Sequence, residues 1–232
     1  CRDRLFLMVL DEINLSRPEQ FFADFLSALE QPMDKRRLTL VNDPVLNAPR
    51  LMIDGRHLPI PPNVWFIGTA NHDESTSEFA DKTYDRAHVM EMPRKTEAAH
   101  FTVEPKGQRN PISYRELEGT FDEACKNQVA AVQKATSWLR KAPFVEDMQQ
   151  RFRVGWGNRL EQQLARYLPV VVDSGGTIGE AMDHLLVTKV LRKLKDRHDV
   201  RATALEELRE KLSKAWSSQS RVGAPGGCST HR

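Results

Sequence analysis

Apolar positions along the chain change their spacing about half-way. Leu5 to Leu10 is a continuous apolar run with no alternation, the pattern of a strand covered on both faces in a parallel sheet. Val64 to Ile67 repeats that pattern after Pro61-Pro62-Asn63. Between them, Ser16 and Glu19 have capping-box spacing with Pro18 in the first turn, which predicts a helix carrying Phe22, Phe25, Leu26 and Leu29 on one stripe. Pro32 lies just past its end. Residues 38–60 read as short strands, and Asp54-Gly55 is a two-residue hairpin signal between Leu51–Ile53 and His57–Ile60. Strand, helix, hairpin, strand predicts part of a helix-covered α/β sheet.

Residues 93–120 mix proline, glycine and charge without a period and read as a connector. From Phe121 the spacing becomes helical. Helices are expected over Phe121–Lys141, with Ala124, Val129, Val132 and Trp138, and over Arg159–Leu168. A third is expected from Thr177 to about Arg197, with Leu185, Val190, Leu191 and Leu194 on its buried side. Thr177 with Glu180, and Thr203 with Glu206, have capping-box spacing and mark two helix starts. Ser217–Arg232, with glycines and a proline in its middle, reads as a disordered tail. There is no internal repeat.

Composition narrows the classes. Of 232 residues, 40% are hydrophobic and 28% charged, the balance of a globular protein. No stretch approaches the roughly 18 apolar residues of a membrane span. Lys and Arg total 34 against 32 Asp and Glu, so net charge gives no argument for nucleic acid. Cys1, Cys125 and Cys228 are far apart and form no C-x-x-C pair, which fits a reducing, cytoplasmic setting. No signal peptide is expected, because the chain runs from Cys1 straight into a strand.

The chemistry concentrates where the apolar runs end. Asp11-Glu12 closes the first, at the carboxyl end of a buried parallel strand, where such sheets place ligands. An Asp there can hold Mg2+ directly or through water, and a Glu can polarise a water for attack on a phosphoryl group. The plainer alternative is a strand leaving the core into an acidic, solvated turn. Gly68-Thr69-Ala70-Asn71 closes the second run. If the two strands are neighbours, Asn71 stands beside Glu12 and can orient the same water; otherwise it is a turn Asn. Asp85-Arg86 follows a short helical stretch, and Arg86 reads as a surface ion-pair partner or as an arginine finger.

Leu7–Asn14, Phe66–Thr76 and Asp85–Ala87, in this order, resemble the AAA+ ATPases, within them the branch of MoxR-type chaperones and McrB. The resemblance spans residues 5 to about 212. It implies a partial P-loop NTPase sheet over residues 1–95, a connector over 96–120, a small all-α lid over 121–215 and a tail over 216–232. It makes Asp11-Glu12 a Walker B motif, Asn71 sensor 1, Arg86 the finger, and residues 33–62 the pre-sensor-1 hairpin. Trp156-Gly157-Asn158-Arg159 is similar to the place where sensor 2 opens a lid helix, so Arg159 is the candidate and Arg153 the runner-up. The implied ligands are ATP, with GTP as the alternative, and Mg2+. The implied assembly is a homo-oligomeric ring, a hexamer, acting on DNA or protein through the pore hairpin with a nuclease or other effector partner. One departure is large. No G-x-x-x-x-G-K-[ST] phosphate loop occurs in the chain, and Gly223–Gly227 offers no lysine. Two expectations follow: a sequence cut from a longer motor subunit, or a non-catalytic remnant acting as a scaffold.

Other candidates are weaker. His72-Asp73-Glu74 is a poor metal cluster, because consecutive residues rarely converge on one ion. His57 reads as a hairpin surface residue and His88 as a packed one. Lys189, Arg192, Lys193, Lys195 and Arg197 read as a solvated helix face. Lys35, Arg36, Arg37, Arg50 and Arg56 make the hairpin basic, which suits solvation or a polyanionic or polypeptide track.

Overall fold

The computed structural model describes residues 3–71, 79–92, 111–195 and 197–220, with only the backbone of 217–220. His72-Asp73-Glu74, most of the expected connector, and 221–232 lie outside the described residues. The chain is mixed α/β. Its contacts divide it into Cys1–Gly119 and Thr120–Arg232.

In the first unit, β1 (Phe6–Leu10) pairs in parallel with β4 (Val64–Gly68), with Phe6 opposite Val64 and Leu10 opposite Gly68. The two strands expected to be neighbours are neighbours. Buried Asn63 brackets their amino ends: its side-chain Nδ2 donates to the Arg4 carbonyl at 2.8 Å and its backbone carbonyl accepts from Phe6 N–H at 2.8 Å. α1 (Pro18–Phe21) and α2 (Ala23–Leu29) follow β1. The Ser16 capping box does not form. Pro18 takes the first helical position, so Arg17 becomes the cap residue and Glu19 falls out of box register. The aromatic stripe packs as expected. Phe22 and Phe25 stack at 4.7 Å, and each meets the Phe66 ring of β4 edge-on at 5.6 Å.

β2 (Arg37–Thr39) pairs antiparallel with β3 (His57–Pro59), so the main partner of His57–Pro59 is not Leu51–Ile53. Asp54 and Gly55 do form a turn. Both have positive φ, and Ile53 bridges back to His57. Ala28, Leu38 and Ile60 form a small core with Phe25, Leu29 and Phe66 against it.

β1 has the unbroken apolar pattern of a covered strand, yet its faces are exposed. Residues paired in parallel register share a face. Leu7, Val9, Trp65 and Ile67 therefore form one face, and all four are exposed; Phe6 and Met8 on the other face are exposed too. Among the described residues this sheet has two strands only, and α2 covers just the Phe66 side. α3 (Asp81–Arg86) completes the unit's regular elements before α4 (Tyr114–Asn127), which begins inside the expected connector. Tyr114 N–H donates to Asp3 O at 3.0 Å.

The second unit is helical. Gln128 interrupts the expected 121–141 helix, separating α4 from α5 (Val129–Lys141). α6 (Pro143–Gln150), α7 (Asn158–Asp173), α8 (Ile178–Lys189) and α9 (Ala202–Ser220) follow. Phe144, Met148, Phe152, Leu164, Leu168 and Val190 make its buried centre. α7 runs five residues past Leu168, through the fully buried Pro169, and ends in a Schellman motif. There Gly175, at φ 97°, donates to Val172 O and Gly176 to Val171 O. A Cβ on Gly176 would stand 2.6 Å from a Val171 methyl. The Thr177–Glu180 capping box forms in full. α8 ends at Lys189, where a short 3-10 turn over Leu191–Leu194 replaces the expected continuation. Lys189 is buried rather than on a solvated face, and His88 is exposed rather than packed. α9 starts at Ala202, so Thr203 lies inside the helix and does not cap it.

Candidate functional site

Parallel pairing ends both strands at the same edge, and the chain then knits the two ends together. Thr69 N–H donates to Leu10 O at 3.0 Å, and Ile13 N–H donates to Thr69 O at 2.8 Å. The Thr69 hydroxyl accepts from Glu12 N–H at 2.9 Å and donates its own proton to Asp11 Oδ1. Asn14, buried, donates through Nδ2 to the Asn71 carbonyl at 2.7 Å, while its Oδ1 has no hydrogen-bond partner. Asp11, Glu12 and the backbone of Asn71 thus belong to one hydrogen-bonded edge.

Glu12 has φ 49°, a left-handed conformation that costs a non-glycine residue on the order of 1–3 kcal/mol. It persists because Glu12 is held on both sides. Its N–H goes to Thr69, and its carbonyl accepts from Leu15 N–H at 3.0 Å. Asp11 and Glu12 are both exposed. The Asp11 carboxylate suits a hydrated Mg2+, which takes one or two carboxylates and keeps waters or phosphate oxygens as its other ligands. No group of three His, Cys, Asp or Glu among the described residues forms an all-protein metal cage. A nucleotide fits less well. No backbone cradle with a lysine for phosphates is supplied, since the chain lacks a phosphate loop.

Arg86 closes α3, half-buried, with Nε 3.3 Å from Glu30 Oε2 at the end of α2. Its acid is therefore Glu30 rather than the adjacent Asp85. In the second unit, Arg159 stands at the second position of α7, exposed, after the cap residue Gly157. Arg153 is exposed with φ 53°. On the hairpin, His57 Nδ1 lies 2.8 and 3.0 Å from the two Asp54 oxygens, and this bond holds the Asp54 carboxyl below its ordinary value. Thr69 and Asn14 were absent from the sequence-based candidates. The one available signal for Thr69 was its place just past the end of the second apolar run.

Comparison with protein-family models, with curated proteins and with solved structures finds no match. Among the described residues no helix is long and apolar enough to cross a membrane.

Proposed function

We propose that this chain carries the water-activating edge and the lid of an AAA+ nucleoside-triphosphatase of the MoxR/McrB-like branch. In the intact subunit it couples ATP hydrolysis, or GTP hydrolysis, to remodelling of protein or translocation on DNA. The observation that carries the reading is the parallel β1–β4 pair, whose shared edge joins Asp11-Glu12 to Thr69–Asn71. Asp11 holds the ion directly or through water, Glu12 accepts a proton from the attacking water, and Asn71 orients that water. Mg2+ would supply charge neutralisation for the phosphate oxygens. Arg86 serves a neighbouring subunit of a hexameric ring, and Arg159 is the sensor on the lid. The basic β2–β3 hairpin faces the substrate, with a nuclease or similar effector as a further partner.

The missing phosphate loop favours a second reading, a non-catalytic scaffold subunit with the same edge. Glu12→Gln in the full-length subunit separates the two. The motor reading expects nucleotide to stabilise the variant against heat, with ATP and GTP compared, while turnover falls by orders of magnitude. Unchanged turnover removes Glu12 from the chemistry. Absence of both binding and turnover in the unmutated subunit leaves the scaffold. Asn71→Ala is expected to impair the same step less, because an amide orients water without taking its proton.

A further inference from the structure

We propose that Thr69 is a positioning residue that locks the Asp11-Glu12 turn, fixing the directions in which both carboxylates point. For its catalytic consequence this rests on the motor reading above. Thr69 Oγ has one proton and two lone pairs. The proton goes to Asp11 Oδ1 and a lone pair accepts Glu12 N–H at 2.9 Å. Asp11 is thereby held by one oxygen, leaving Oδ2 for an ion or its water. Glu12 is held in a left-handed conformation that a free chain abandons, with φ at 49°. The flanking bonds, Ile13 N–H to Thr69 O and Leu15 N–H to Glu12 O, close the turn around it. A left-handed residue projects its side chain differently from an extended one, so loss of the hydroxyl re-aims the Glu12 carboxylate rather than merely loosening it. Asn14 repeats the device one step further on, tying Asn71 to the same turn by a buried amide.

Thr69 is exposed, so replacing it disturbs no core packing. Thr69→Val keeps the shape and removes the hydroxyl; Thr69→Ser keeps the hydroxyl. Amide hydrogen exchange followed by NMR on this chain is the first test. The Glu12 amide is expected to exchange at least tenfold faster in Thr69→Val and at close to the unmutated rate in Thr69→Ser, with β1 amides such as Val9 unchanged. Unaltered Glu12 exchange in Thr69→Val overturns the proposal, as does equal acceleration in both variants, which would show that any change at this position loosens the turn whether or not the hydroxyl is kept. The second test is hydrolysis by the full-length subunit. There Thr69→Val is expected to lower kcat about 10- to 100-fold, as misplacing a catalytic group does, with nucleotide KM changed little and serine restoring the rate. A kcat equal to that of the unmutated subunit overturns the positioning role. Failure of the motor reading shows separately, as unchanged turnover in Glu12→Gln, while the exchange test needs no turnover.

Discussion

The exposed apolar face of the β1–β4 pair should make this chain self-associate weakly. Leu7, Val9, Trp65 and Ile67 are 50%, 57%, 36% and 47% exposed. Full burial of such side chains is worth about 1.5–3 kcal/mol each, so covering the half that remains gives roughly 1 kcal/mol per residue. Two copies meeting face to face therefore gain about 8 kcal/mol. Association itself costs an estimated 4–15 kcal/mol in lost translational and rotational freedom. At the low end of that cost the net is about 4 kcal/mol, a dissociation constant on the order of 1 mM. Sedimentation velocity is accordingly expected to find a monomer near 10 μM and a rising weight-average mass towards 1 mM. Val9→Lys and Ile67→Lys, each placing a charge on the face, should both abolish the rise, and sulfate should enhance it in the unmutated chain. A mass independent of concentration up to about 1 mM refutes the reasoning. So does association that survives both lysines.

Three further outcomes check the helical unit and its electrostatics. Phe144→Ala or Leu164→Ala, at fully buried positions, should lower unfolding free energy by about 3–5 kcal/mol in denaturant titrations; a loss under about 1 kcal/mol would mean the centre is loosely packed. Thr177→Ala should cost about 1 kcal/mol through its lost cap, whereas Thr203→Ala, inside α9, should cost less than half of that. The bond from Arg140 holds the Glu161 carboxyl below its ordinary value. Its contribution is therefore complete at neutral pH and is lost as pH falls below about 4.5 and through the depressed folded-state value. Glu161→Gln should flatten that acid limb in a stability–pH profile, and an unaltered limb would exclude the pair.

What was legible in the chain was whatever depends on local order. Unbroken apolar runs identify β1 and β4 because a strand period needs only a few residues to show. The Thr177–Glu180 box is legible for the same reason. Misreadings arose where two local rules compete or where burial is decided elsewhere. Pro18 and Ser16 both mark a helix start one residue apart, and the proline wins because its ring presets the first helical φ. Pro169 looks like a stop. A proline forfeits one backbone bond, however, and burial of Leu168 and Pro169 within the helical core outweighs it, so α7 continues to Asp173 and stops at Gly175-Gly176. Lys189 was placed with its charged neighbours, yet its burial is set by the helices packed around α8. The edge itself was half legible. Its carboxylates and Asn71 stand out as residue types, whereas Thr69 acts through a hydrogen bond to a residue 58 positions away, which no local pattern encodes.

Arg86 is the residue on which sequence and geometry pull in different directions, and magnitudes decide how. Its guanidinium lies against Glu30 of its own chain, with both side chains about a quarter exposed. Ion pairs near the surface contribute roughly 0–1 kcal/mol. An arginine finger accelerates phosphoryl transfer by on the order of 10³-fold or more, equivalent to about 4 kcal/mol or more of transition-state stabilisation. The Glu30 pair is therefore too weak to hold Arg86 back from a neighbour's phosphates, and it is compatible with a resting position between turnovers. The two roles give opposite results in mixed rings. A finger acting on the next subunit requires that subunits with Arg86→Ala, whose Glu12 is intact, regain activity beside subunits with Glu12→Gln, whose Arg86 is intact. Glu30→Gln should leave turnover within about fivefold of the unmutated ring, since it removes a pair worth less than 1 kcal/mol. If Arg86→Ala alone retains near-normal turnover, Arg86 is a structural partner of Glu30 and nothing more. If Arg86→Ala is inactive and mixing restores nothing, its charge does not act on the next subunit, and the ring geometry proposed for this chain fails with it.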